Sequence, residues 1–261
     1  MALADAFDGF LIDLDGVVYV GNTLVPGADD AIGRLRSRGK SVLFLTNDPR
    51  SSRDDYAAKL RGLGIDANPS EILTSGAATA QWVAREEGGA GRSGYVIGSP
   101  ALEREMESAG LRLVTGDAGR AADVVVVGGH DRFDYEELRI AAQALRRGAA
   151  FYATGRDATF PMPDGPWPAT GAILAAVETA AGRRAHVVGK PEPEMFAVAR
   201  EIVGQTARLA VVGDRLDSDI LGGRRAGLAT VLVLTGSTTE AEAEAASPAP
   251  DFVIADLTGL V

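Results

Sequence analysis

An apolar segment near the start of the chain ends in two aspartates, Asp13 and Asp15, with one leucine between them. Residues 9–14 indicate a buried strand, and side chains two positions apart on a strand point to the same face. Ligands of open parallel sheets bind at the carboxyl ends of strands, so we expect both carboxylates to lie in a ligand crevice. Two adjacent carboxylates repel each other unless a cation or a shared proton lies nearby.

A β-hairpin is the alternative interpretation of the same segment. Asp15 and Gly16 stand between two apolar runs, and an Asp-Gly pair in that position is a strong signal for a type I′ turn. The hairpin does not explain Asp13, because a charge that interrupts a buried run must be desolvated at a cost in free energy.

Polar residues also follow the second predicted strand, where Thr46 and Asn47 come directly after an apolar run. A hydroxyl and an amide at a strand end can bind phosphate oxygens. The alternative is a helix start, with Asn47 or Ser51 as the N-cap and Pro49 in the first turn.

Lys190 follows a further apolar stretch and opens a predicted helix. A lysine in this position can neutralise a phosphate and a neighbouring carboxylate, whereas the alternative is an ordinary solvated lysine on the surface. The segment is not a P-loop, because neither Ser nor Thr follows the lysine and the glycine spacing differs.

The last of these strand ends is formed by residues 209–212, which lead into Asp214, with Asp217 and Asp219 close behind. Mg²⁺ prefers oxygen ligands, usually one or two carboxylates together with water and phosphate. Asp217 and Asp219 have an alternative role, because acidic side chains also stabilise the N-terminus of a helix.

Composition excludes several classes of protein. The 261 residues carry a formal net charge of −10, which argues against nonspecific binding to nucleic acid or to anionic membranes. With no cysteine and only His130 and His186, disulfides, thiolate metal sites and a three-histidine zinc site are excluded. No apolar run approaches the ~18 residues of a membrane span, and we expect a cytoplasmic protein.

Strand and helix patterns alternate along the chain, which indicates an α/β fold with a parallel sheet. A glycine-rich stretch at residues 88–94 reads as a linker, and the alternation restarts after it. We expect residues 160–168 to form a proline-rich loop and residues 217–226 to form a helix.

Four consecutive strand ends thus carry Asp-x-Asp-Gly, Thr-Asn, Lys-Pro and Gly-Asp-x-x-x-x-Asp. This order resembles the haloacid dehalogenase (HAD) superfamily. The opening Asp-x-Asp-Gly-Val-Val-Tyr, the segment Gly-Lys-Pro-Glu-Pro-Glu-Met-Phe and the closing Val-Leu-Thr-Gly resemble its NagD or p-nitrophenyl phosphatase branch. The resemblance implies a Rossmann-like catalytic core, residues 1–77 and 185–261, interrupted by a smaller α/β cap domain, residues 78–184, that sets substrate specificity.

The resemblance also implies a Mg²⁺-dependent phosphatase that acts through an aspartyl-phosphate. Asp13 would be the nucleophile and Asp15 the general acid and later the base. Thr46 and Asn47 would hold the phosphoryl oxygens, and Lys190 would neutralise charge. Mg²⁺ would be bound by Asp13, the backbone carbonyl of Asp15 and Asp214, with Asp219 acting mainly through water. The candidate substrate-binding residues are Gly16, Asn47 and Asp48 beside the phosphate, and His130, Arg132, Arg156 and Trp167 in the cap.

The sequence departs from the family pattern at several of these positions. Asp48 stands where a second asparagine is usual, and we expect only its backbone to face the phosphate. Arg156 belongs to a Thr-Gly-Arg-Asp stretch in place of Thr-Asn-Pro-Asp, and Asp157 is an alternative partner for it. His186, beside a predicted strand, is interpreted as structural.

The predicted substrates are small phosphomonoesters: sugar or polyol phosphates such as glycerol 3-phosphate, phosphoglycolate, nucleoside monophosphates or aryl phosphates. The alternatives are a phosphotransferase or mutase on the same scaffold, and a non-catalytic module that binds a phospho-ligand. Relatives often dimerise through the cap, so the resemblance also suggests a homodimer.

Overall fold

The computed structural model of the protein describes residues 2–88, 90–162, 164–205 and 207–261. The described strands are β1 (Gly9–Asp13), β2 (Tyr19–Val20), β3 (Thr23–Leu24), β4 (Ser41–Thr46), β5 (Ile72–Thr74), β6 (Ser93–Ile97), β7 (Arg112–Leu113), β8 (Val124–Val127), β9 (Ala150–Ala153), β10 (Thr159–Met162), β11 (Gly165–Pro168), β12 (His186–Val187), β13 (Leu209–Gly213), β14 (Ala229–Val233) and β15 (Phe252–Ile254).

Helices alternate with these strands. They are α1 (Ala28–Ser37), α2 (Arg53–Gly62), α3 (Ser75–Glu87), α4 (Pro100–Ser108), α5 (Tyr135–Arg146), α6 (Thr170–Ala181), α7 (Pro193–Val203), α8 (Leu221–Arg225) and α9 (Glu240–Ala245). A π-helical turn, Leu216–Ile220, leads into α8, and short 3-10 segments cover Leu3–Ala6, Pro69–Glu71, Gly116–Ala121 and Leu257–Leu260. Each described helix is too short or too polar to span a lipid bilayer.

The chain divides into two compact units. The first unit comprises Met1–Thr46, Arg53–Leu73 and Lys190–Val261, and the second comprises Asn47–Ser52 and Thr74–Gly189.

The first unit is built on a sheet with the strand order β15-β14-β13-β1-β4-β5. Strand β1 lies between β13 and β4 and pairs with both in parallel. All five of its residues are buried, as expected of a central strand in a parallel sheet covered on both faces. Helix α1 packs on this sheet through Ala28, Ala31, Ile32 and Leu35, whose spacing places them on one side of the helix.

The second unit has its own sheet, with the order β12-β9-β8-β6-β7 and parallel pairing throughout. Strand β8 consists of four buried valines. Its core is completed by α5 and α6, which contribute residues such as Ile140, Leu145 and Leu174. Two parallel sheets with helical crossovers confirm the predicted α/β class.

The structure corrects some expected elements. Most of the predicted loop 160–168 forms an antiparallel hairpin, in which β10 pairs with β11 and Phe160 lies opposite Trp167; Pro163 lies outside the described residues. A two-stranded ribbon tolerates proline, because each strand leaves one edge without a partner. The predicted helix 217–226 begins with the π-helical turn. The Asp-Gly hairpin is not formed, since β1 pairs only with parallel neighbours and Gly16 begins a turn that precedes β2.

Candidate active site

Asp13 is the last residue of β1, and its side chain is largely buried. Its partner is Lys190, which is 4% exposed. The Lys190 ammonium donates to Asp13 Oδ1 and also to Asp219 Oδ1, the second contact being 2.7 Å long. Lys190 is therefore a buried cation between two carboxylates rather than a solvated surface lysine.

Asp214 reaches the same edge of the sheet from the neighbouring strand. Strand β13 pairs Val212 with Ile12 in parallel register, so Asp13, one residue after Ile12, and Asp214, two residues after Val212, emerge at the same edge of the sheet. Asp214 is almost completely buried. One carboxylate oxygen each from Asp13, Asp214 and Asp219 all lie within 4.8 Å of one another.

The π-helical turn brings Asp219 into this cluster. One extra residue per turn carries its carboxylate back toward the strand end, where Oδ2 accepts from the backbone N–H of Arg215 at 3.2 Å and Oδ1 accepts from Lys190. Single π turns of this kind often lie at functional sites. Asp217, by contrast, points to solvent and pairs with Arg215.

The cluster has an excess of negative charge: three carboxylates against one ammonium leave two net negative charges when all are ionised. Burial raises the pKa of Asp13 to about 8, with Lys190 opposing and Asp219 adding to the rise. Burial and Asp219 also raise the pKa of Asp214. Burial alone would lower the pKa of Lys190, but Asp13 and Asp219 outweigh it and raise that pKa. The raised pKa values of Asp13 and Asp214 favour uptake of positive charge by these carboxylates, whereas the raised pKa of Lys190 keeps its ammonium charged.

A divalent cation fits this charge and this donor set. Carboxylate oxygens are the ligands that Mg²⁺ prefers, and its two positive charges equal the excess. Oδ1 of Asp214 is buried and has no hydrogen-bond partner among the described residues. A buried carboxylate oxygen without a partner is costly unless a cation takes it up. The three aspartates are therefore suited to hold a magnesium ion.

Asp15 and Gly16 lie just beyond the end of β1. Asp15 is exposed and is not part of the strand, so the expected strand face shared with Asp13 does not exist. Gly16 adopts φ +82°, and a Cβ at this position would lie 2.6 Å from Asp214 Oδ2. Glycine therefore allows the turn to pass close to the Asp214 carboxylate.

Thr46 is buried at the end of β4, one residue beyond Leu45, the register partner of Asp13. Asn47 follows it but belongs to the second unit. There its side-chain amide donates to Asp157 Oδ2 at 2.9 Å, and its carbonyl accepts from the Ser75 hydroxyl at 2.7 Å.

The rest of the segment Asn47–Ser52 is also built into the second unit. The Asp48 carboxylate accepts two hydrogen bonds from the Arg50 guanidinium, at 2.8 and 2.9 Å. That guanidinium lies 3.8 Å from the centre of the Phe160 ring, and the Pro49 carbonyl accepts from the Ser99 hydroxyl at 3.1 Å.

The residues predicted to bind substrate in the cap differ in their contacts. Nε2 of His130 is 3.2 Å from Glu137 Oε2, and Arg132 is exposed. Trp167 is 40% exposed; its indole N–H donates to Asp164 at 2.9 Å, and its ring packs edge-on against Phe160. His186 stacks on Trp82, with ring centres 6.0 Å apart.

Arg156 has a partner that the sequence did not indicate. Its guanidinium donates to both carboxylate oxygens of Glu178, at 2.6 and 3.1 Å. Glu178 also accepts from Arg184 at 2.6 Å and from the Ala185 amide at 3.0 Å. The sequence did contain a signal that Glu178 needs a partner. Glu178 is the single charged residue of α6, and it lies on the side of the helix that contributes Leu174 and Val177 to the core.

Comparison with known proteins places this chain in a family. Residues 10–112 match the family model of the haloacid dehalogenase-like hydrolases, and residues 187–260 match a HAD-hydrolase-like model. Chronophin of Mus musculus is 42% identical over 246 residues, which cover 91% of this chain and 84% of chronophin.

Two solved structures are similar over nearly the whole chain. A glycerol phosphate phosphatase of Mycobacterium tuberculosis, in complex with magnesium, superposes with a TM-score of 0.92 at 35% identity, covering 100% of this chain and 78% of that one. A p-nitrophenyl phosphatase of Archaeoglobus fulgidus gives a TM-score of 0.89 at 35% identity, covering 97% of each chain. The predicted family, its branch and the enzyme class are confirmed: this chain belongs to the haloacid dehalogenase-like hydrolases, in the branch of the NagD-like and p-nitrophenyl phosphatases.

Proposed function

We propose that this protein is a Mg²⁺-dependent phosphatase that hydrolyses small phosphomonoesters through an aspartyl-phosphate on Asp13. The observation that carries the proposal is the buried cluster of Asp13, Asp214, Asp219 and Lys190. Buried groups with strongly shifted pKa values and specific charge partners mark functional sites. This arrangement supplies both a carboxylate nucleophile and a place for a hard cation.

In the first half of the reaction an oxygen of Asp13 attacks the phosphorus atom, and the bond to the leaving alkoxide breaks. Covalent capture divides hydrolysis into two easier displacements. Asp15, exposed just beyond the strand end, donates the proton that the alkoxide takes up, which contributes roughly 10²–10⁴-fold.

In the second half a water molecule attacks the phosphorus of the aspartyl-phosphate, and the bond to Asp13 breaks. Asp15, now ionised, accepts a proton from that water. Inorganic phosphate leaves and the Asp13 carboxylate is regenerated, so atoms and charge balance over the cycle.

The remaining groups position the phosphoryl group and offset its charge. Lys190 holds its positive charge between Asp13 and Asp219, where it reduces repulsion between the nucleophile and an anionic substrate. Thr46 and Asn47 are the proposed donors to phosphoryl oxygens, and Gly16 and Asp48 are further proposed contacts through their backbone. Magnesium, held by Asp13, Asp214 and the Asp15 carbonyl with Asp219 nearby, would stabilise charge on the phosphoryl oxygens.

We assign nucleophilic attack, proton transfer and cation binding to residues of the first unit, and the choice of leaving group to the second. The candidates for leaving-group contact remain His130, Arg132, Arg156 and Trp167. The magnesium-bound neighbour is named a glycerol phosphate phosphatase and another neighbour a p-nitrophenyl phosphatase, which supports polyol and aryl phosphates as the first substrates to examine.

The test is phosphate release from a panel of phosphomonoesters by the parent protein and by Asp13→Asn, with Mg²⁺ and with excess chelator. Asp217→Asn is the matched control, because Asp217 lies in the same motif but its side chain is 74% exposed. We expect the parent and Asp217→Asn to release phosphate only when metal is present, and added Mg²⁺ to restore this release after chelation. We expect a folded Asp13→Asn to release no phosphate.

Substantial release by Asp13→Asn would exclude Asp13 as the nucleophile, and release in excess chelator would contradict the metal requirement. Turnover that appears only when an alcohol acceptor is added would identify a phosphotransferase instead.

A further inference from the structure

Residues 235–238, here called the 235–238 loop, connect β14 to α9 in the first unit. Both ends of this loop are fixed. Strand β14 is paired on both sides. Helix α9 begins with a capping box, in which Thr239 and Glu242 exchange hydrogen bonds, and Ala243 packs against Ile220 and Leu232.

The loop bonds to Asp214 through Ser237 and Thr238. The backbone N–H of Ser237 donates to Asp214 Oδ2 at 2.6 Å, and the buried Thr238 hydroxyl donates to the Asp214 carbonyl at 2.6 Å. One bond fixes the carboxylate and the other fixes the backbone that carries it.

A further hydrogen bond reaches the turn after β1. The Thr235 hydroxyl donates to the carbonyl of Gly16 at 2.5 Å. Gly16 follows Asp15, whose carbonyl is a proposed ligand. The loop therefore holds both chain segments that would supply ligands to the cation beside Asp13.

These contacts leave one oxygen of Asp214 for a cation. Oδ2 is taken by the Ser237 N–H, whereas Oδ1 is buried without a hydrogen-bond partner in the described chain. The loop also packs tightly against the carboxylate, since a Cβ on Gly236 would overlap its atoms. The side chain of Asp214 is thus restrained before any ion binds.

We propose that the 235–238 loop is the positioning element of the cation site, and that it sets the affinity for Mg²⁺ by presenting Oδ1 of Asp214. Groups that orient a metal ligand typically change metal affinity 10–100-fold when they are removed. The inference rests on the proposed function, because it takes Asp214 to be a magnesium ligand.

The main test compares Thr238→Val with Thr238→Ser. Valine keeps the shape of threonine and removes the hydroxyl, whereas serine keeps the hydroxyl. Mg²⁺ is titrated calorimetrically into each metal-free protein, so that the readout is binding and not turnover. We expect Thr238→Val to weaken Mg²⁺ binding by about tenfold or more and Thr238→Ser to restore affinity close to that of the parent.

A second pair addresses the backbone donor. Ser237→Pro removes the N–H that bonds to Asp214, whereas Ser237→Ala keeps this N–H and removes only the side-chain hydroxyl, which also bonds to Asp214. We expect the proline variant to lose much more Mg²⁺ affinity than the alanine variant. The melting temperature and near-ultraviolet circular dichroism of each metal-free protein check folding; if the proline variant does not fold, the Thr238 pair decides.

The parent and Asp214→Asn separate this inference from the proposed function. If the parent binds no Mg²⁺, or if Asp214→Asn binds it as tightly as the parent, the proposed metal site is wrong. The role of the loop is refuted if those two proteins behave as expected but Thr238→Val binds Mg²⁺ as tightly as the parent. It is also refuted if Thr238→Ser loses as much Mg²⁺ affinity as Thr238→Val.

Discussion

The contact between Arg156 and Glu178 allows us to predict how much Glu178 contributes to the free energy of unfolding of the second unit. Glu178 is 5% exposed and accepts from two guanidinium groups and one backbone amide. The Arg156 guanidinium beside Glu178 lowers the pKa of that carboxyl to about 2, against the opposing effect of burial. The ordinary value of 4.5 applies in the unfolded chain.

The size of the stabilisation follows from this pKa shift. The fall in the pKa of Glu178 from 4.5 to about 2 corresponds to about 3 kcal/mol. Exposure of the side chains of Arg156 (42%) and Arg184 (83%) reduces the net effect through solvent screening. We therefore expect Glu178→Gln to lower the free energy of unfolding by about 2 to 3 kcal/mol at pH 7.

The pH dependence has a definite sign. Because the folded pKa lies below the unfolded pKa, the contribution of Glu178 is fully present above pH 4.5 and declines as the pH falls toward 2. The difference between the parent and Glu178→Gln should shrink by about 1 kcal/mol between pH 7 and pH 4.

Urea unfolding monitored by tryptophan fluorescence measures this effect, because both tryptophans, Trp82 and Trp167, belong to the second unit. Glu107→Gln is the control: Glu107 is exposed in the same unit, so this variant should stay within about 0.5 kcal/mol of the parent. Equal stability of parent and Glu178→Gln at pH 7, or a difference that does not change down to pH 4, would refute the reasoning.

Two further predictions concern the proposed site. Lys190→Met removes the ammonium from a cluster of buried carboxylates, so the free energy of unfolding of the metal-free protein should fall by about 3–5 kcal/mol. Mg²⁺ should raise the melting temperature of this variant more than that of the parent. Thermal scans with and without Mg²⁺ test this, and a metal-free variant as stable as the parent would contradict it. Arg156→Ala and Trp167→Ala should change the ratio of kcat/KM values among phosphomonoesters while Mg²⁺ affinity stays near that of the parent. Unchanged substrate profiles for both variants would remove these residues as leaving-group contacts.

Much of the first unit could be predicted because its signals are local. An acid that breaks a buried apolar run, as Asp13 and Asp214 do, is visible in a few residues of sequence. Parallel strands bring their carboxyl ends to one edge, so the meeting of these two carboxylates follows from the strand pattern.

Other features depend on contacts that no local pattern contains. A helical pattern from residue 217 gave no sign of the π turn that carries Asp219 to Lys190. Arg156 is bonded to Glu178, which lies 22 residues away in the sequence, and no local pattern around Arg156 indicates that contact. The short strands β5 and β15 were also missed, because three residues carry too little periodicity to be recognised.

The segment Asn47–Ser52 has a consequence for the exchange of parts between related proteins. It is separated in sequence from the rest of the second unit, yet Asn47 bonds to Asp157, Arg50 stacks on Phe160 and Pro49 is held by Ser99. A chimera that transplants residues 78–184 alone would leave these partners behind in the donor chain. A graft intended to transfer specificity must therefore be discontinuous, taking residues 47–52 together with residues 74–189.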